Sequence, residues 1–403
     1  MAKKHSFKIA NAWICRIENN SIVPIFGDLE IEHGKIARIF KRNFSDYIEK
    51  KSNAGNSIYD AGGRLLTVPL VNFHDHFYSR LAKGLPNSKP MNNFQNVLKN
   101  LWWDLDKKLT LDMVEASAQM SVIEAIKNGV TYIFDHHSSP IAADGSLGKI
   151  AEVLVENTIR GALCFETTDR NGATLSKTGL EENINFLKNY SSSNLKSLLG
   201  LHASFTLSDD TLAEASELIE EYDLGIHIHL CEDKSDRILS KQYTDQLPVK
   251  RLIQNKLLNG KSILGHGVYL SQREYYQIAA SGSAIVYNPD SNMNNAVGLP
   301  VYSKVPKNIP ILIGTDGMHA NIAKSMKQYF LLLRNQKNSM EDTFRLFIKS
   351  YFDQVAFVKK YFDDFPGLFE NDRADFIIWD YIPPTPINET NFWGHFIYGA
   401  LEY

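Results

Sequence analysis

The chain has 403 residues, 44% of them hydrophobic and 22% charged, so it exceeds one small module, can bury a sizeable core and is neither disordered nor a stapled mini-scaffold. Lys plus Arg number 43 against 46 for Asp plus Glu, and no basic block marks a nucleic-acid footprint. Three widely spaced cysteines, Cys15, Cys164 and Cys231, suit a reducing compartment, and neither a signal-peptide core nor an apolar run of membrane-spanning length occurs, so the expected location is the cytoplasm.

Residues 7–39 read as short strands, with a hairpin over 29–39 turning at Gly34, and the polar stretch 43–56 reads as a loop. From Leu65 the texture changes. Short apolar runs at 65–71, 130–134, 161–165, 198–201, 224–230, 262–264, 284–287 and 309–313 alternate with helical patterns such as 111–128 and 211–222. Eight strands separated by helices predict an α/β fold, a closed parallel (β/α)8 TIM-like barrel; a doubly wound sheet is the alternative. Beyond Arg373 the strand texture returns at 374–380, followed by a turn holding Pro383, Pro384 and Pro386 and a last strand expected near Phe396.

Histidines and acids gather at the predicted C-terminal strand ends, where barrel active sites are built. His74 and His76 follow the first barrel strand two residues apart, a period that points both imidazoles the same way. His227, His229 and Glu232 end the fifth strand, His266 the sixth, and Asp316 the eighth. Any one of these alone could cap the next helix or pack in the core, and His227 reads as a packed neighbour. Together they outline a nitrogen-rich site for a borderline metal, with His74, His76 and His229 as ligands and Asp316 as an oxygen ligand. Such an ion brings the pKa of bound water from about 15.7 to about 7, on the order of 12 kcal/mol of easier deprotonation. Glu232 beside it can move a proton to a departing nitrogen, and His266 can polarise the electrophile, which points to hydrolysis of a C–N bond.

Loops over the same face supply the expected substrate contacts: Glu166 and Arg170 after the third strand, His202 after the fourth and Asn292 after the seventh. Only one of His136 and His137 can readily face the pocket, and the aromatic pairs Phe77-Tyr78 and Trp102-Trp103 read as core more readily than as pocket wall. No CxxC supplies paired thiolates, so a metal here would rest on imidazoles and carboxylates.

Val71-Asn72-Phe73-His74-Asp75-His76, His229-Leu230-Cys231-Glu232, Gly265-His266, Asn288-Pro289-Asp290-Ser291-Asn292-Met293 and Gly314-Thr315-Asp316-Gly317-Met318 resemble the amidohydrolase superfamily, in its cytosine/guanine deaminase and chlorohydrolase-like branch. Asp135-His136-His137-Ser138-Ser139-Pro140 and Glu166-Thr167-Thr168-Asp169-Arg170-Asn171-Gly172 are similar to SsnA-type aminohydrolases within it. The resemblance implies one divalent metal per chain, zinc first and iron second, held by His74, His76, His229 and Asp316, with Glu232, His266 and Asp316 in catalysis. It implies a barrel over 66–369, a small β-sandwich from 1–65 and 370–403, and a homodimer acting on a small molecule without nucleic acid or membrane. It further implies hydrolysis of an amine or cyclic amide in a nitrogen-rich, purine-derived compound. The alternatives are displacement of another leaving group, as in chlorohydrolases, and a non-catalytic truncated relative; retention of Glu232 argues for a nitrogen leaving group. Two features depart from the family pattern: Leu70 replaces a glycine, and Tyr403 ends the chain several tens of residues early, implying either a truncated chain or a reduced second domain.

Overall fold

The computed structural model describes residues 6–46 and 57–402, so most of the predicted loop 43–56 lies outside the described residues. The chain divides into two compact units, Met1–Leu70 with Phe362–Tyr403, and Val71–Tyr361.

In the first unit β1 (Ser6–Glu18), β2 (Ser21–Glu32) and β3 (Lys35–Lys41) run antiparallel in order. Their turns, Asn19-Asn20 and His33-Gly34, have positive φ at both central residues, the twist that two-residue hairpins require. β4 (Ile58–Asp60) and β5 (Leu65–Thr67) pair with β1 in parallel, and the short strand Ile377–Ile378 closes the sheet against β5. The expected strand near Phe396 is instead a helix, Phe392–Tyr398. Its apolar residues Phe392, Phe396 and Ile397 recur at i, i+4 and i+5, a helical spacing, and Phe396 packs edge-on against Trp379 at 5.7 Å.

The second unit is the barrel. Its strands are β6 (Leu70–Asp75), β7 (Val130–His137), β8 (Arg160–Phe165), β9 (Leu195–Ser197), β10 (Leu199–Ala203), β11 (Ile226–Leu230), β12 (Ile263–His266), β13 (Ala284–Tyr287) and β14 (Ile311–Ile313). They pair as two runs, β6 to β9 and β10 to β14, with β9 and β10 the two halves of the fourth barrel strand. Backbone bonds cross both seams: Thr315 and Asp316 N–H donate to His74 O, and His202 N–H donates to Thr167 O. These strands are apolar along nearly their whole length because both faces are covered, the signature of a parallel sheet wrapped by helices. Helices start at side-chain caps: Thr110 accepts from Met113 N–H, Ser208 from Thr211 N–H, and Ser271 with Glu274 forms a capping box. Leu70 opens β6 in extended backbone, so the missing glycine costs nothing there.

Gly200, in β10, has no room for a side chain, since a Cβ would stand 2.2 Å from the carbonyl oxygen of Phe165. Backbone cannot yield as a side-chain tip can, so Gly200→Ala is expected to lower stability by about 1–3 kcal/mol. Chemical unfolding of the two proteins would show it, and an unchanged midpoint would exclude the clash.

Candidate metal and active site

β6, β11 and β12 and the turn after β14 deliver the site. His76 Nδ1 donates to the carbonyl of His136 (2.6 Å), and His229 Nδ1 to that of His202 (3.1 Å). A carbonyl only accepts, so each neutral ring keeps its lone pair on Nε2. Those two Nε2 atoms stand 3.2 Å apart. Facing lone pairs at that distance repel unless a proton or a cation lies between them, and two nitrogens on one tetrahedral ion would sit about 3.3 Å apart. Asp316 Oδ1 is 3.1 Å from His76 Nε2 and 3.8 Å from His74 Nε2, and His74 Nε2 is buried without a hydrogen-bond partner. His74 Nδ1 meets His227 Nε2 at 2.8 Å, so the predicted packed histidine orients the first one. The donor set of three imidazoles and one carboxylate fits a borderline divalent ion.

Electrostatics agree. Burial holds His74 and His229 below the ordinary imidazole range, leaving them neutral as ligands must be, and does the same to His202 at the pocket edge. Burial opposes charge on His76 too, but the neighbouring Asp316 carboxylate outweighs it and raises His76 to about 9, while Asp316 itself is pulled far down. His76 and Asp316 thus form a charged pair at the floor of the site.

Glu232 Oε2 lies 3.4 Å from His266 Nε2, and its Oε1 accepts from Asn295 Nδ2 at 3.4 Å. Burial lifts its carboxyl to about 7. Cys231, His266 and Asp316 all adopt left-handed backbone, with φ of 51°, 70° and 52°. Each such non-glycine residue costs about 1–3 kcal/mol and persists only where the surroundings over-determine it.

The pocket over these groups is bordered by His76, His202, His229, Glu166, Glu232 and Asp316, and walled by the aromatics Tyr78, Phe94, Trp102, Trp103 and Phe205. Tyr78, Trp102 and Trp103 thus belong to the wall rather than the core. The segment 94–106 that carries the tryptophans is a helix interrupted by a π-turn, Leu98–Trp102, a local widening that tends to occur at functional sites. Of the paired histidines, His136 joins the cluster with His74, His76 and His229, whereas His137 turns to Ser139.

Two predicted substrate contacts stand elsewhere. Arg170 gives its Nη2 to Asp106 (3.2 Å) and Glu166 (3.3 Å) and stacks over Trp103 at 4.6 Å, so its charge is already matched. Asn292 is fully buried and accepts from His266 Nδ1 at 2.8 Å. Sequence reasoning missed Ser291, whose hydroxyl donates to Asp316 Oδ2, and Asp106, which borders the pocket. Ser291 stood inside a quoted motif; Asp106 carried no signal at all. If Asn292 orients His266 rather than substrate, Asn292→Ala should lower kcat by about 10- to 100-fold with little change in KM. A rise in KM alone would return it to substrate binding.

The model of the amidohydrolase family matches residues 66–353, and the chain belongs to that family. Among curated relatives, it is 27% identical over 307 residues to a 5-methylthioadenosine/S-adenosylhomocysteine deaminase of Halothermothrix orenii, covering 75% of this chain and 67% of that one. It is 28% identical over 301 residues to a 5′-deoxyadenosine deaminase of Methanobrevibacter smithii, covering 74% and 65%. The guanine deaminase structure from C. acetobutylicum superposes with a TM-score of 0.79 at 17% identity, covering 98% of this chain and 96% of that one, a likeness of fold.

Proposed function

We propose that this chain is a metal-dependent aminohydrolase that removes an amino group from a purine-like compound as ammonia, with one zinc ion held by His74, His76, His229 and Asp316. The facing Nε2 atoms of His76 and His229, 3.2 Å apart with both Nδ1 atoms committed to carbonyls, carry this reading. Iron is the second choice for a set of three imidazoles and one carboxylate. When bound, such an ion supplies Lewis acidity that makes hydroxide available near neutral pH. The protein's own residues do the rest. Glu232 takes a proton from the water and returns it to the leaving nitrogen, so that as the C–O bond forms and the C–N bond breaks the group departs as ammonia. His266, its Nδ1–H given to Asn292, holds its Nε2 beside Glu232, where it would polarise the electrophile. Tyr78, Trp102 and Trp103 offer flat faces for a heterocycle.

The deaminase names of the relatives that match 75% and 74% of the chain support nitrogen as the leaving group. In the same reading the enzyme works in the cytoplasm as a homodimer. Among the described residues no helix is long and apolar enough to cross a membrane, and Met113, Met120, Ile123 and Ile126 expose apolar surface along one helix that a second copy could cover. The test is ammonia release by zinc-loaded protein from purines and 5′-substituted adenosines. Release from at least one, absent without protein, is expected; silence across the panel with full metal content would overturn the reading.

A further inference from the structure

The first and last barrel strands must meet at the site, and their backbones do little to join them. His74 stands on β6 and Asp316 just beyond β14, yet among the described residues these two strands share no regular ladder. Main-chain contact comes from the N–H groups of Thr315 and Asp316, both given to His74 O, and from a single bridge between Asp75 and Asp316. Asn72 adds a side-chain tie across this seam. It is fully buried, and its carboxamide makes every bond open to it. Oδ1 accepts from the N–H groups of Thr315 (3.2 Å) and His74 (3.4 Å), and Nδ2 donates to Asp75 Oδ2 (2.8 Å) and Thr315 Oγ1 (2.7 Å). With two N–H groups on one side and a carboxylate on the other, the amide cannot turn over without setting donor against donor. One side chain thus binds the residue ahead of Asp316 from 243 positions away. Asp75 is held in turn: its Oδ1 accepts from Arg80 Nη2, and Arg80 sets its Nε 3.3 Å from Glu124 Oε2 on the helix Leu111–Lys127. Arg80, Asp75, Asn72 and Thr315 are all buried, so this row of bonds stands where water does not compete.

We propose that Asn72 is a positioning residue for the metal site read above: it buckles the first strand of the barrel to the last so that His74 and Asp316 reach the same ion, and the Asp75–Arg80 pair holds its amide to that task. Asn72 has no place among the ligands or on the pocket wall, and it acts only through the backbone of His74 and of Thr315. Groups that fix ligands from behind change metal affinity by about 10- to 100-fold when they are lost.

Zinc affinity by chelator competition, measured beside the unfolding midpoint of the metal-free protein, tests this. Asn72→Asp keeps the shape but sets a carboxylate against that of Asp75 and removes both donors, so zinc affinity should fall by about 10-fold or more. The exchanged pair Asn72→Asp/Asp75→Asn puts one amide and one carboxylate back in contact, with the Thr315 hydroxyl turned to donate. It should recover to within about threefold of wild type. Leu212→Ala, a cavity under the outer helix Asp209–Tyr222, lowers stability without touching the seam and should bind zinc as wild type does. Wild-type affinity in Asn72→Asp, an exchanged pair no better than the single change, or an equal loss of zinc in Leu212→Ala overturns the proposal. If Asn72→Asp does not fold, Thr315→Val, which removes only the hydroxyl partner, should still weaken zinc by at least about threefold, and unchanged binding overturns the proposal. The expected order of zinc affinities without ammonia release from any compound would sustain the positioning role and overturn the deaminase reading. Ammonia release by wild type with zinc affinity unmoved in Asn72→Asp would do the reverse.

Discussion

Replacing Glu232 with Gln is expected to leave metal content at the wild-type level and lower kcat by about 10²- to 10⁴-fold. Gln keeps the shape and can still accept from Asn295, but it cannot carry a proton, so only the transfer step is removed. The pH profile separates this from a structural role. Burial places the Glu232 carboxyl near 7, and the base is its ionised form, so wild-type kcat/KM should climb with pH through about 7 while the residual activity of Glu232→Gln loses that limb. The same burial has a cost in stability. A carboxyl raised from 4.5 to about 7 on folding favours the folded state below about 4.5, and that contribution disappears as pH rises through 7. Full activity in Glu232→Gln, or loss of its metal, would end the proton-transfer assignment.

His76→Ala should reduce bound metal from about one ion per chain to near zero after dialysis, and activity with it. The change removes a nitrogen 3.2 Å from His229 Nε2 and 3.1 Å from Asp316 Oδ1, so it withdraws one donor and leaves the others without the geometry to close on an ion. His137→Ala is the matched control: its ring faces Ser139, outside the cluster, and its metal should stay. Elemental analysis of both proteins decides the matter, with retained metal in His76→Ala the outcome that would undo the ligand set.

How far the sequence revealed this site depended on how local each role is. The strands of the barrel were legible because both of their faces are buried, which writes them as apolar runs, and their ends were legible because the imidazoles of His74, His76, His229 and His266 and the carboxylate of Asp316 break those runs. Arg170 and Asn292 were placed on the right loops but their partners were not visible: Asp106 lies 64 residues from Arg170, and His266 lies 26 from Asn292. Pairings that distant leave no trace in a periodicity. Trp102 and Trp103 misled for another reason, since a helix packed as a wall over a pocket has the same apolar spacing as one packed over a core. The short aromatic run at Phe392–Tyr398 shows the remaining ambiguity, where too few residues separate a period of two from one of 3.6.

The rings of His76 and His229 are aimed by main-chain carbonyls, those of His136 and His202, rather than by side chains. A carbonyl survives any substitution at its own residue. The His202 side chain, which borders the substrate pocket, can therefore be exchanged without untying the ring that its backbone holds. In the proposed enzyme, substrate choice and metal geometry would in this way be written in separable parts of the same residue, and a lineage, or an engineer, could rework the first while the second is inherited intact.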